Sequence, residues 1–178
     1  AHGGEARGRR RAQADQGAVV GWPDGGGNRY LLVAVSNYGM LPGQESEIAS
    51  YSVANVATPQ RWPAGRASLG PLAAADIDGD GDLDLFVGGR FRPGRYPEPV
   101  SSALWLNEQG ELRRNSELSK PLESLGLVSG ATFSDLDGDG DPDLALAVEW
   151  GSVRVFRNQS GRFEEMTAPW GFAGRSGW

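Results

Sequence analysis

Asp76-Ile77-Asp78-Gly79-Asp80-Gly81-Asp82-Leu83-Asp84 and Asp135-Leu136-Asp137-Gly138-Asp139-Gly140-Asp141-Pro142-Asp143 each set five carboxylates within nine residues, and the second run begins 59 positions after the first. Side chains of this type at this spacing repel. Two carboxylates about 4 Å apart cost roughly 1 kcal/mol in water and about 4 kcal/mol at an effective dielectric near 20. A folded loop that gathers three or four of them therefore calls for a cation. The pattern Asp-x-Asp-x-Asp-Gly-x-x-Asp offers carboxylates at positions 1, 3, 5 and 9 and a backbone carbonyl at position 7, that of Asp82 or Asp141. Glycine at position 6, Gly81 or Gly140, permits a sharp turn around an ion. Oxygen-only donors select a hard ion, and their number suits Ca²⁺ better than Mg²⁺.

The charge balance agrees. The 178-residue chain carries a formal net charge of −6, from 23 acidic and 17 basic residues. Without the ten loop aspartates, 17 basic residues face 13 acidic ones, a remainder of +4. The acidity belongs to the loops, so the low isoelectric point reports metal sites rather than an acidic partner-binding face. A helix–loop–helix calcium site would need a bidentate carboxylate at position 12 and a helix after it. Position 12 is Val87 in one loop and Leu146 in the other, and each lies in a short apolar run that reads as a buried strand.

The elements that must position these loops repeat with them. Each loop follows a small apolar run, Leu72–Ala75 or Ala131–Ser134, and precedes the buried strand. Next come the strand-like segments 102–107 and 152–158, the matching turns Asn107-Glu-Gln-Gly110 and Asn158-Gln-Ser-Gly161, and the short strands Glu111–Arg113 and Arg162–Glu165. Four strands per repeat, joined by Gly/Asn turns, predict propeller blades. A worn third copy aligns Trp22–Val33 without gaps on Asp76–Val87. It keeps a carboxylate only at Asp24 and carries Trp22, Gly26 and Tyr30 at positions 1, 5 and 9, so it should keep the turn and lose the ion. Strands are expected at Tyr30–Asn37 and Glu47–Val53. The only weak helical signal, Leu118–Leu125, is interrupted by Pro121.

These loops and the Phe86-Val-Gly-Gly89 segment make the chain resemble FG-GAP or VCBS repeats of integrin-alpha-type β-propellers, most closely the cartilage acidic protein (ASPIC) group. The resemblance covers residues 18–178. It implies that the loop between the first two strands of a blade holds Ca²⁺. Carried over by position, the side-chain ligands are Asp76, Asp78, Asp80 and Asp84 with the Asp82 carbonyl, and Asp135, Asp137, Asp139 and Asp143 with the Asp141 carbonyl. It also implies a location outside the cytoplasm: extracellular, cell-surface or periplasmic.

The expected fold is all-β, about three four-stranded antiparallel blades forming an incomplete propeller, since closure typically takes four to eight. The expected organisation is a disordered basic tail at 1–17, a degenerate blade at 18–69, and calcium-loop blades at 70–128 and 129–178. Trp170-Gly171-Phe172 aligns with Leu125-Gly126-Leu127, which would place a further acidic loop near position 180 and suggests the remainder of a longer propeller chain. Arg7, Arg9, Arg10 and Arg11 lack interleaved aromatics, so a tail is expected there rather than a nucleic-acid-binding arm. No apolar run is long enough for a membrane span.

Enzyme chemistry has few places to start. There is no cysteine, and the one histidine, His2, falls in the expected tail, which argues against thiol catalysis, a Ser-His-Asp triad and a His-ligated zinc. Glu149, Glu164 and Glu165 read as ordinary strand or turn residues. Trp62, Trp105, Trp150, Trp170 and Trp178 could form a sugar-stacking platform, although core packing is expected of Trp105 and Trp150. Asn158-Gln-Ser160 is a glycosylation sequon that coincides with a repeat turn. Two functions are compatible with these features. One is a non-enzymatic Ca²⁺-stabilised module for adhesion or for recognising a protein or glycan. The other is the propeller portion of a secreted polysaccharide- or lipid-acting enzyme whose catalytic residues lie outside this chain.

Overall fold

Three four-stranded antiparallel sheets make up the molecule, a computed structural model that describes residues 15–23, 27–38 and 44–175. The expected basic tail as far as Ala14, the worn-loop residues Asp24-Gly25-Gly26 and Trp178 lie outside the described residues.

The first sheet runs in the order β1 (Asp15–Pro23), β2 (Arg29–Ser36), β3 (Ser46–Ser52), β4 (Gln60–Gly65). The second runs β5 (Ser68–Ala75), β6 (Asp84–Phe91), β7 (Ala103–Glu108), β8 (Glu111–Asn115). The third contains β9 (Leu127–Ser134), β10 (Asp143–Glu149), β11 (Arg154–Gln159) and β12 (Arg162–Glu165), again in chain order. Each sheet is thus a blade-like meander, as the repeat predicts. One short helix, α1 (Ser116–Ser119), and a 3-10 turn at Lys120–Leu122 link the second sheet to the third, with Asn115 capping α1 through its side chain. The weak helical signal yields two short turns, and Pro121 sits within the 3-10 turn.

Side-chain alternation stacks the sheets. On β6, Leu85 and Val87 pack into a core shared with Leu32, Ala34 and Ile48 of the first sheet. Phe86, pointing the other way, packs with Leu144, Leu146 and Phe156 of the third. Two-sided burial explains why β6 reads as a continuous apolar run. On β10 only one face is covered: Leu144, Leu146 and Val148 are buried and Ala147 is exposed.

The first strands of successive sheets approach closely. A Cβ on Gly17 would lie 2.7 Å from the Leu69 carbonyl oxygen, and one on Gly70 would lie 2.6 Å from that of Val128. Both positions therefore exclude any side chain.

Some expected boundaries move. Asp15–Gly17 belong to β1 rather than to a tail: Asp15 and Gln16 pair with Ser36 and Val35 of β2, and Gly17 sits at the register shift before Ala18. The second sheet begins at Ser68 and the third at Leu127, each two residues before the expected start, where buried Ser68, Leu69, Leu127 and Val128 already pack. The worn copy is also shorter than a gapless alignment implies. Trp22 pairs with Tyr30 and Pro23 with Arg29, so the ladder runs into positions that are loop in the other sheets, and Trp22 is a buried strand residue.

Candidate metal centres

Each acidic loop joins the first two strands of its sheet, β5 to β6 and β9 to β10. Both are shaped by their own backbone. Asp76 accepts N–H bonds from Gly79 (2.8 Å) and Asp80 (3.1 Å) on Oδ1 and from Gly81 (3.0 Å) on Oδ2. Asp135 accepts from Gly138 (2.7 Å) and Gly140 (3.1 Å) in the same way. The turn needs left-handed backbone at position 4 as well as position 6: Gly79 and Gly81 have φ of 81° and 93°, and Gly138 and Gly140 of 83° and 95°.

Position 9 anchors the loop. Asp84, buried at the start of β6, accepts from Ile77 N (3.1 Å) on one oxygen and Asn107 N (2.9 Å) on the other. Asp143 accepts from Leu136 N (2.9 Å) and Asn158 N (2.8 Å). A carboxylate at this position thus ties the loop to the third strand of its own sheet.

The result is a convergence of charge. One carboxylate oxygen from each of Asp76, Asp78 and Asp84 lies within 4.8 Å of the others, and Asp135, Asp137 and Asp143 repeat the arrangement. Burial pushes the Asp84 carboxyl up to about 6, with the charges of Asp78 and Asp80 adding to the shift and the two N–H donors opposing it. A cation at the centre would relieve both effects, and the all-oxygen donor set fits a hard one. Each cluster can hold a metal ion.

The remaining loop aspartates are placed differently. Asp80 and Asp139 lie outside the two clusters, and each accepts the N–H of position 7 on Oδ1, at 2.8 Å and 2.9 Å. The Asp82 and Asp141 side chains are likewise outside the clusters. Asp141 reaches across its sheet and accepts from Ser160 N at 2.7 Å.

Asn107 and Asn158 are the residues that motif reading understates. Both are buried, and each accepts the N–H of the turn glycine, Gly110 at 2.8 Å and Gly161 at 2.9 Å. Asn158 also donates through Nδ2 to the Ile77 carbonyl at 2.8 Å, so the last turn of the third sheet docks on the acidic loop of the second. Their shared Asn-x-x-Gly spacing marks a turn in the sequence; it does not reveal that the same residue anchors position 9.

The tryptophans divide. Trp105 is core, and Trp62 packs against the same core. Trp150, expected to pack inside, is 73% exposed: it follows the end of β10 with a φ of 61°, which turns it outward, and it donates to the Tyr96 hydroxyl at 2.8 Å. Glu165 is held by Arg154 through two hydrogen bonds and Glu164 by one from Arg157.

Among the described residues, no helix is long and apolar enough to cross a membrane. No curated protein matches the chain. Residues 135–178, which hold the second acidic loop and strands β10–β12, match the family model described as an FG-GAP-like repeat, and this supports an FG-GAP/VCBS-type repeat for the third sheet.

Proposed function

We propose that the chain is a Ca²⁺-stabilised module of FG-GAP/VCBS-type propeller blades, akin to the cartilage acidic protein group. Its place would be an extracellular, cell-surface or periplasmic protein, where it serves adhesion or recognition of a protein or glycan without catalytic chemistry of its own. The observation that carries this reading is the duplicated convergence of three carboxylates on an oxygen-only centre. Asp80 and Asp139, the remaining side-chain ligands that the resemblance implies, lie outside the clusters and accept the position-7 N–H on Oδ1. When bound, the ion supplies charge neutralisation and a cross-link between the first two strands of its sheet. The residues themselves hold the loop open for it: Asp76 and Asp135 organise the turn, and Asp84 and Asp143 fix it to the third strand.

Calorimetric titration with Ca²⁺ and Mg²⁺ tests this. Two Ca²⁺ sites are expected, with Mg²⁺ weaker, and affinity of about 10⁻⁴–10⁻³ M if the loops behave like those of extracellular modules. A stoichiometry near three, or equal affinity for Mg²⁺, would sink the reading.

A further inference from the structure

A second kind of site lies away from the acidic loops. Between the first and second sheets is a cleft of about 180 Å³ whose charged lining residues are Arg66, Arg92 and Arg114, with no carboxylate among the lining. Arg66 comes from the link between β4 and β5, Arg92 follows β6, and Arg114 lies on β8 directly opposite Trp105 of β7. Arg92 is paired with Glu98 at 3.2 Å. The side chains of Arg66 and Arg114 have no carboxylate partner among the described residues.

One further polar group in the lining is unusual. Trp105 lines this cleft, is 6% exposed, and its buried indole N–H has no hydrogen-bond partner among the described residues. Buried donors of this kind are nearly always paired, and an indole can only donate. The cleft therefore presents positive charge at Arg66 and Arg114 that no side-chain acid among the described residues pairs, since Glu98 is taken by Arg92. Arginine's planar fork matches carboxylate, sulfate and phosphate oxygens, and the volume suits such a headgroup rather than a whole drug-sized ligand.

We infer that this cleft binds the oxyanion group of an acidic ligand, with Arg66 and Arg114 as charge partners beside the indole of Trp105 in its wall. The cleft contains none of the ten loop aspartates, so the inference does not depend on metal binding and its failure would leave that reading standing.

The indole N–H signal of Trp105, assigned with Trp105→Phe, reads the site directly in a ¹⁵N–¹H spectrum. The Ca²⁺-supplemented chain is titrated with sulfate, glucuronate and glycerol phosphate at constant ionic strength, so that screening is not read as binding. A saturable shift is expected, and the anion that binds most tightly identifies the group as a sulfate, carboxylate or phosphate. Arg66→Gln and Arg114→Gln should each weaken binding about tenfold, the scale of one charge-assisted hydrogen bond. Arg66→Lys and Arg114→Lys, which keep the charge and lose the fork, should weaken it less. Arg113→Gln, on the same strand but paired with Glu108, should leave it unchanged. No saturable shift with any of the three anions overturns the inference, as does a shift that survives in the folded double variant Arg66→Gln/Arg114→Gln.

Discussion

The Asn158 side-chain N–H meets the Ile77 carbonyl at 2.8 Å, joining positions 81 residues apart. Ile77 stands between two clustered carboxylates, and its own N–H donates to a third, Asp84. Asn158 in turn gives its backbone N–H to Asp143 of the other cluster. The two candidate metal centres are therefore connected through two residues.

Asn158→Ala should destabilise the chain by about 1–3 kcal/mol, the cost of leaving the buried Ile77 carbonyl unpaired. It should also weaken Ca²⁺ binding at the first loop more than at the second, since the backbone bond to Asp143 survives. Urea unfolding, and calorimetry in backgrounds that isolate each loop (Asp137→Asn or Asp78→Asn), check this. Equal loss at both loops would contradict the link.

Calcium should raise the melting temperature. At a free concentration a hundredfold above Kd, each site adds about 2.7 kcal/mol, or roughly 5–10 °C for a chain of this size. Asp78→Asn and Asp137→Asn should each remove one site's share. Asp80→Ala should lower stability even with chelator present, because its carboxylate also holds the Asp82 N–H. Thermal melts with and without chelator separate the two effects.

The close approach of β1, β5 and β9 predicts a sharp contrast among glycines. Gly17→Ala and Gly70→Ala place a methyl against backbone oxygens at 2.7 and 2.6 Å, which cannot move without shifting a strand, and should cost about 1–3 kcal/mol or more. Gly21→Ala meets nothing within 4 Å and should be neutral or stabilising by up to about 1 kcal/mol. Chemical denaturation of the three variants decides it.

Acid should act in opposite directions on the metal-free and metal-bound forms. The Asp84 carboxyl, raised to about 6 from 3.8, binds its proton more tightly in the folded chain than in the unfolded one. Its contribution to stability is thus full below pH 3.8 and is lost as pH rises through about 6. With Ca²⁺ present the proton competes with the ion, and affinity should fall as pH drops below about 6. Urea midpoints across this range, with Asp84→Asn as the reference, measure both slopes.

Much of this architecture is legible in the sequence because its determinants are local. The strand Arg162–Glu165 is readable to the residue, and β6, β7, β10 and β11 to within about two, since apolar alternation and Asn/Gly turns mark them. The edge strands β1 and β4 are not readable this way. β4 is Gln60-Arg-Trp-Pro-Ala-Gly65, with a proline and a glycine that only an edge tolerates, and its strand character comes from pairing with β3. At the site, position 9 can be read as a ligand but not as the anchor to Asn107 and Asn158, because those bonds span 23 and 15 residues of intervening chain. The outward turn of Trp150 depends on one backbone angle that its flanking apolar residues do not reveal.

The sequon at Asn158-Gln-Ser160 acquires a time order from the fold. Its asparagine is fully buried, and the same side-chain nitrogen that a glycan would occupy is committed to Ile77. A folded chain is closed to a glycosyltransferase at this position, so modification and folding compete. Any chain carrying sugar there would have been intercepted before its third sheet docked, and the sugar would stand as a record of delayed folding.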